Sequence, residues 1–133
     1  VFSKIINGEI PCHKIAENDY CLAFLDINPL AEGHTLVIPK KEIDYYFDLD
    51  DDLFSRLNLF AKDVALGIEK VIKCQRIGVA IIGLEVPHAH VHLVPLQNIH
   101  DIDFSKPKLH LSNEEMSKIA SAISDTIQLS GKD

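Results

Sequence analysis

The segment Pro87-His88-Ala89-His90-Val91-His92-Leu93 alternates three histidines with apolar residues. Successive side chains of an extended strand point to opposite faces, so the three imidazoles would line one face about 6.6 Å apart, with the apolar residues facing the core. Imidazoles crowded on one face repel one another when charged, and their ring nitrogens need hydrogen-bond partners. The row therefore predicts a functional site rather than a purely structural strand.

Two kinds of site use such a row of imidazoles. In a metal site, the H-x-H pattern supplies two ligands to zinc or a similar ion, and a third ligand comes from another segment. In a catalytic site, a neutral imidazole attacks phosphorus while its neighbours orient it and bind phosphoryl oxygens. No cysteine or carboxylate lies beside the row at ligand spacing, although Glu85 is close to it. From the residues alone, both interpretations stay open.

Hydrophobic patterning predicts the elements that must position this row. Apolar residues three and four apart between Leu53 and Ile72 predict a long amphipathic helix, and the acidic run before it suits a helix N-terminus better than a calcium loop. A capping box at Ser112 opens a final helix with an apolar stripe at Met116, Ile119, Ile123 and Ile127. A short helical or turn segment is expected at Phe2–Ile6. The predicted strands are His13–Glu17, Tyr20–Asp26, Thr35–Pro39, Ile77–Ile82 and Val91–Leu96.

The order of strands, helix, strands and helix predicts the α+β class, with a mostly antiparallel sheet of about five strands. The 133 residues show no repeat, linker or change in composition, so a single domain over 1–133 is expected. Cys12, Cys21 and Cys74 are odd in number and widely spaced, which favours reduced, structural thiols.

Charge and hydropathy exclude several classes of partner. Thirteen basic and twenty acidic side chains give a net charge of −7, so no basic face is expected that could neutralise the phosphates of a long nucleic acid. No apolar run approaches the length of about 18 residues that spans a bilayer, and nothing resembles a signal peptide. The composition is that of a cytoplasmic protein without a membrane partner.

The sequence resembles the histidine triad (HIT) family of nucleotide-binding hydrolases and transferases. The histidine row matches the family's pattern of three histidines alternating with apolar residues. Three further blocks match it in the right order: FSKIINGEIP from Phe2 to Pro11, AFLDINP from Ala23 to Pro29, and GHTLVIPK from Gly33 to Lys40. Together these blocks cover the chain to about Pro95 and imply a HIT-like fold.

The resemblance implies a hydrolase of small purine nucleotides that acts through a covalent nucleotidyl-histidine, without a cofactor. His90 falls on the nucleophile, while His88, His92 and His34 would assist at the phosphate and the leaving group. Asp26 matches the residue that holds the ribose hydroxyls, although it could instead form a turn before Pro29. The positions that sandwich the base are Phe2, Ile5 and Ile27, which could equally be core residues.

The resemblance leaves two other functions open. The chain could be a dinucleoside polyphosphate hydrolase, or a nucleotide-binding partner protein with vestigial activity. Family members of this size are usually homodimers whose sheets join, so a homodimer is expected.

The sequence departs from the family at two places. Leu84 and Glu85 stand before the triad where a polar pair is expected, and a carboxylate beside a phosphate opposes binding unless it turns away. Bacterial members often hold a structural zinc through cysteines near the N-terminus. Ser3 occupies the expected ligand position and Cys12 has no obvious partner, so no metal is expected.

Overall fold

The computed structural model describes residues 1–127 and 129. Within them, five strands form one antiparallel sheet in the order β1-β2-β3-β5-β4, and three α-helices accompany it. This arrangement confirms the predicted α+β class. The strands are β1 (Lys14–Glu17), β2 (Cys21–Leu25), β3 (Thr35–Pro39), β4 (Arg76–Ala80) and β5 (Val91–Leu96), and the helices are α1 (Phe2–Ile6), α2 (Asp51–Val71) and α3 (Asn113–Ser124).

The long helix α2 covers one face of the sheet. Its apolar stripe includes Leu57, Val64 and Ile68, all fully buried in one cluster with Val91 and Leu93 of β5. As predicted, the acidic run lies at the N-terminus of this helix, and the Asp50 side chain accepts a hydrogen bond of 2.8 Å from the Leu53 N–H group. In the part of the chain that the structure describes, no helix is long and apolar enough to cross a membrane.

The opposite face of the sheet carries a smaller apolar cluster beneath α1. Leu36 and Ile38 of β3 belong to this cluster, whereas Val37 between them faces the α2 side. Because side chains alternate along a strand, His92 lies on the α1 face, between Val91 and Leu93 of the α2 face. The sheet thus separates the main core from the face that carries His92.

The predicted strand Val91–Leu96 is confirmed, but the expectation that all three histidines share one extended strand is wrong for His88 and His90. Strand β5 begins at Val91, so His88 and His90 precede it. The reason is that both neighbouring strands stop pairing there: the last β4 pair joins Ala80 to His92, and the last β3 pair joins Val37 to Val91. The Ala89 N–H group instead donates to the Ile43 carbonyl at 2.7 Å.

Other boundaries differ from the expectation by one to three residues. Strand β4 ends at Ala80 instead of Ile82, and α3 ends at Ser124, so Ile127 lies beyond the helix. The capping box at Ser112 is present, with Ser112 and Glu115 exchanging hydrogen bonds of 2.9 and 3.1 Å. A turn at Asn18 joins β1 to β2, and the Asn18 side chain accepts hydrogen bonds from the Tyr20 and Cys21 N–H groups.

The three cysteines are free thiols. Burial raises the pKa of Cys21 to about 12, and burial also raises the pKa of Cys12 and Cys74. Thiols that resist ionisation are poor nucleophiles and poor metal ligands, which agrees with the predicted structural role.

Candidate functional site

A cavity of 630 Å³ opens on the α1 face of the sheet. Its lining combines apolar residues with polar residues that include Asp26, His34, His90 and His92. Of the eight residues predicted for the site, His88 alone does not line this cavity; the others are Phe2, Ile5, Asp26, Ile27, His34, His90 and His92. Segments far apart in sequence therefore meet here.

The His90 ring is oriented by the backbone just before it. Its Nδ1 atom lies 2.7 Å from the His88 carbonyl oxygen. A carbonyl oxygen can only accept, so Nδ1 carries the proton and the neutral ring keeps its lone pair on Nε2. The edge of Phe2 packs on the ring, with 5.2 Å between the centroids. The arrangement presents Nε2 as a nucleophile or as a ligand atom.

A second chain of hydrogen bonds sets the tautomers of His34 and His92. The Leu30 N–H group donates to His34 Nδ1 at 2.9 Å, so the neutral His34 ring carries its proton on Nε2. That Nε2 atom lies 3.0 Å from His92 Nδ1, which must therefore accept. His92 in turn carries its proton on Nε2, and it can donate a hydrogen bond from this atom.

Burial keeps these two rings neutral. It lowers the pKa of His34 to about 3 and that of His92 to about 4, because water no longer solvates the charged forms. Proximity adds to the effect, since His92 disfavours charge on His34 and His90 disfavours charge on His92. A neutral imidazole has one donor and one acceptor nitrogen, so neutral rings can form this hydrogen-bonded chain.

His88 lies behind the cavity instead of lining it. Its Nε2 atom donates to the Pro39 carbonyl at 2.8 Å, and burial lowers the pKa of the ring. Its Nδ1 atom is buried without a hydrogen-bond partner among the described residues. His88 thus ties the segment to the end of β3 and offers its carbonyl to His90, while its expected role at the phosphate stays a prediction.

Asp26 uses its two carboxylate oxygens differently. Oδ1 accepts from the Asn28 N–H group at 2.8 Å, which is the turn considered as its alternative role. Oδ2 lies 3.6 Å from His34 Nε2 at the edge of the cavity. Burial raises the pKa of Asp26, although the hydrogen bond from Asn28 works against this increase. The turn therefore leaves one oxygen turned toward the histidines.

Asp26, His34 and His92 also form a cluster that could hold a metal ion, since one ligand atom from each lies within 4.8 Å of the others. The hydrogen bond from Leu30 argues against this use. It occupies the lone pair of His34 Nδ1, so a neutral His34 ring has a proton, not a lone pair, on the Nε2 atom that would bind the metal. The donor set fits a hydrogen-bonded pair better than a metal centre.

The position expected for a structural zinc does not fit that metal either. The Ser3 hydroxyl donates to Glu42 Oε1 at 2.7 Å, and a hydroxyl is a poor substitute for the thiolate that zinc prefers. The pair is exposed and satisfied by its own hydrogen bond. The N-terminal helix is therefore held near Glu42 by this contact.

Phe104 and Lys108 are among the cavity-wall residues that the sequence did not indicate. Phe104 packs its ring against His92, with 4.6 Å between the centroids, and Lys108 lines the cavity nearby. The Lys108 ammonium donates to the carbonyls of Phe104 and Lys106 at 2.6 and 3.0 Å. Both residues lie in an irregular segment after β5, where no periodicity or motif marks them.

The loop before the triad also forms part of the cavity wall. Ile82, Gly83, Leu84 and Glu85 all line it, and the Leu84 side chain is 87% exposed. Gly83 has φ +70°, a left-handed conformation that favours glycine. Glu85, which the sequence places near the phosphate, therefore belongs to the cavity wall.

Comparison with known proteins agrees with the resemblance noted in the sequence. Residues 7–100 match the HIT domain. An adenosine 5′-monophosphoramidase of Schizosaccharomyces pombe is 36% identical over 131 residues, covering 96% of this chain and 98% of the relative. A Hit-like protein from Bartonella henselae superposes with a TM-score of 0.84 at 27% identity, covering 95% and 94% of the two chains. For a hypothetical histidine triad nucleotide-binding protein from Sulfolobus tokodaii the TM-score is 0.80 at 30% identity, with 94% of this chain and 89% of that chain covered. The chain belongs to the histidine triad family.

Proposed function

We propose that this protein hydrolyses small nucleotides, cleaving a nucleoside phosphoramidate or related nucleotidyl bond through a covalent intermediate on His90. The observation that carries this proposal is the 2.7 Å hydrogen bond from His90 Nδ1 to the His88 carbonyl. It leaves an imidazole lone pair on Nε2 in a cavity large enough for a nucleotide. The name of the Schizosaccharomyces pombe relative, an adenosine 5′-monophosphoramidase, supports the same reaction.

The reaction runs in two displacements at phosphorus. His90 Nε2 attacks the α-phosphorus, the bond from phosphorus to the leaving nitrogen breaks, and that nitrogen takes a proton and departs as an amine. Water then attacks the nucleotidyl-histidine, the bond from phosphorus to Nε2 breaks, and a nucleoside 5′-monophosphate leaves. One water molecule is consumed, and the proton that it releases replaces the one taken by the amine.

The neighbouring histidines assist as donors in this scheme. His92 carries a proton on Nε2 and is the imidazole nearest to His90, with 5.0 Å between the ring centroids. It is the candidate donor to a phosphoryl oxygen or to the leaving nitrogen. His34 holds His92 in this tautomer, because its own Nε2 proton points at His92 Nδ1.

The remaining residues would bind the nucleoside. The Asp26 oxygen that does not serve the turn suits a ribose cis-diol, which offers two hydroxyl donors. Phe2 and Ile5 provide an apolar wall, and the Ile27 side chain is 73% exposed at the cavity, where a base could cover it. An apolar slot accepts a purine without reading its edge.

A dinucleoside polyphosphate hydrolase is the second candidate. The observation that favours it is Lys108, a cation in the cavity wall that would attract additional phosphates. Glu85, which lines the same cavity, acts in the other direction, because its carboxylate would repel them. A nucleotide-binding protein with vestigial activity would be the outcome if Glu85 prevents turnover altogether.

A homodimer is proposed on the edge of the sheet. Strand β4 is an edge strand, and Val79 on it is 60% exposed. Leu59 and Leu66 of α2 are also exposed, at 60% and 49%. Pairing of two β4 strands would join the sheets and cover apolar surface.

The free thiols suit a reducing compartment, so we also propose a cytoplasmic location.

The mechanism is tested by trapping the acid-labile intermediate on the enzyme. The substrates compared are adenosine phosphoramidate, adenylyl-lysine and diadenosine polyphosphates. Quenched incubation with labelled substrate should leave nucleotide on the wild type and on the control His100→Ala, but not on His90→Ala. Calorimetry should still detect AMP binding to His90→Ala. If that variant kept more than about a hundredth of the wild-type turnover, a loss below about 3 kcal/mol, His90 would not be the nucleophile.

A further inference from the structure

A second cavity, of 340 Å³, opens beside His90. It shares His90, Ile82 and Gly83 with the larger cavity, so the two cavities adjoin at the same imidazole. The larger cavity is the one that contains Asp26, His34 and His92. A substrate with its phosphorus at His90 can therefore place its nucleoside in one cavity and extend its other part into the second.

Aromatic rings line this second cavity. Tyr45 and Phe47 are 57% and 69% exposed, with 5.6 Å between their centroids and an angle of 79° between their planes. Tyr46 anchors the segment, because its ring packs on Phe54 of α2 and its hydroxyl donates to Asn58. Two exposed rings at nearly a right angle form a corner in which a third aromatic ring can have one stacked and one edge-on contact.

The charges at this cavity favour a cation over a phosphate. The Asp44 carboxylate lines it, and Glu85 lines the adjoining rim of the larger cavity. Lys108, the cation of the larger cavity, is absent from the lining of the second one. A phosphate chain extending this way would meet carboxylates. A released alkylamine, once it has taken a second proton from water, is a cation that the carboxylates would attract.

We propose that the second cavity is a leaving-group subsite for an aromatic amine, with Tyr45 and Phe47 contacting its ring and Asp44 its nitrogen. This inference rests on the proposed function and names a substrate class for it, the nucleoside phosphoramidates of arylalkylamines. The bond from phosphorus to the amine nitrogen breaks when His90 Nε2 attacks, and the nitrogen takes one proton as it leaves. The resulting amine takes a second proton from water and remains briefly in the aromatic corner before it is released.

The test compares adenosine 5′-phosphoramidates of phenethylamine and of ethylamine, which differ by the ring, with diadenosine triphosphate as a third substrate. We expect a kcat/KM about tenfold higher for the phenethyl compound, the size of one aromatic contact. The variants Tyr45→Ala and Phe47→Ala should remove this preference mainly through KM, and Phe47→Leu should retain part of it. Turnover of the ethyl compound, which has no ring, should change less than that of the phenethyl compound in all three. The control Ile99→Ala, at an exposed residue outside both cavities, should leave the turnover of both compounds unchanged.

Several outcomes would overturn the inference. Equal kcat/KM values for the two phosphoramidates would refute it while leaving the proposed function in place. A preference for diadenosine triphosphate that depends on Tyr45 would assign the subsite to a second nucleobase. A change in molar mass of the variants by light scattering would assign the rings to a contact between copies of the chain. Failure to turn over either phosphoramidate would refute the proposed function together with this inference.

Discussion

The buried pair His34 and His92 predicts a loss of stability at mildly acidic pH. Burial lowers the pKa of these rings to about 3 and about 4 from the ordinary value of 6.5. The unfolded chain therefore binds more protons than the folded chain between these values, so the free energy of unfolding rises with pH. The stabilisation is complete above pH 6.5 and is lost as the pH falls toward the folded values.

The magnitude follows from the same values. For a ring that stays neutral in the folded chain, each pH unit below 6.5 lowers the free energy of unfolding by about 1.4 kcal/mol. At pH 5 the loss is therefore about 2 kcal/mol for each of the two histidines. His34 and His92 are only 1% and 9% exposed, so solvent screening reduces this cost little. The pair together should lower the free energy of unfolding by about 4 kcal/mol between pH 7.5 and pH 5.

The variant His34→Gln isolates one half of this effect. The amide does not titrate, and it can still donate a hydrogen bond to His92 Nδ1. The free energy of unfolding should be measured by urea denaturation at pH 5, 6 and 7.5. Its decrease between pH 7.5 and pH 5 should be about 2 kcal/mol smaller in the variant than in the wild type. His100→Gln, which removes an exposed imidazole, controls for the loss of a histidine. Equal decreases in wild type and His34→Gln, within about 0.5 kcal/mol, would refute the neutral hydrogen-bonded pair.

Three further predictions concern the cavity. Asp26→Ala should weaken AMP binding about tenfold in calorimetry and slow the phosphoryl step less, because the carboxylate would hold the ribose rather than the phosphorus. Glu85→Ser should raise kcat/KM on phosphoramidates about threefold through removal of a negative charge from the rim, and no change or a decrease would mean that Glu85 faces away or helps. Activity should survive EDTA, since no step needs an ion; a loss that zinc restores would favour the metal interpretation.

The fold was largely predictable because local patterns determine its elements. The apolar spacing of α2, the capping box at Ser112 and the turn at Asn18 are short-range signals, and the structure contains all three. Boundaries were less predictable, because a strand ends where its partners stop pairing. His88 and His90 alternate with apolar residues as a strand would, yet β4 and β3 pair no further than His92 and Val91.

The sequence by itself determined which residue types belong to the site. The spacing of the histidine row and the blocks around Asp26 and His34 carry this information, because chemistry requires particular side chains in a particular order. The tertiary structure alone decided how they are used. The tautomers of His90, His34 and His92 depend on a carbonyl and an N–H group that only folding brings near the rings.

The same holds for residues that no motif marks. Phe104 reaches His92 from a segment after β5, and Tyr45 and Phe47 reach the cavity beside His90 from the segment before α2. Neither segment has a periodicity that points to the histidines. Contacts between residues distant in sequence depend on how loops cross the finished sheet, and this is set by the packing of the whole chain and not by any local pattern.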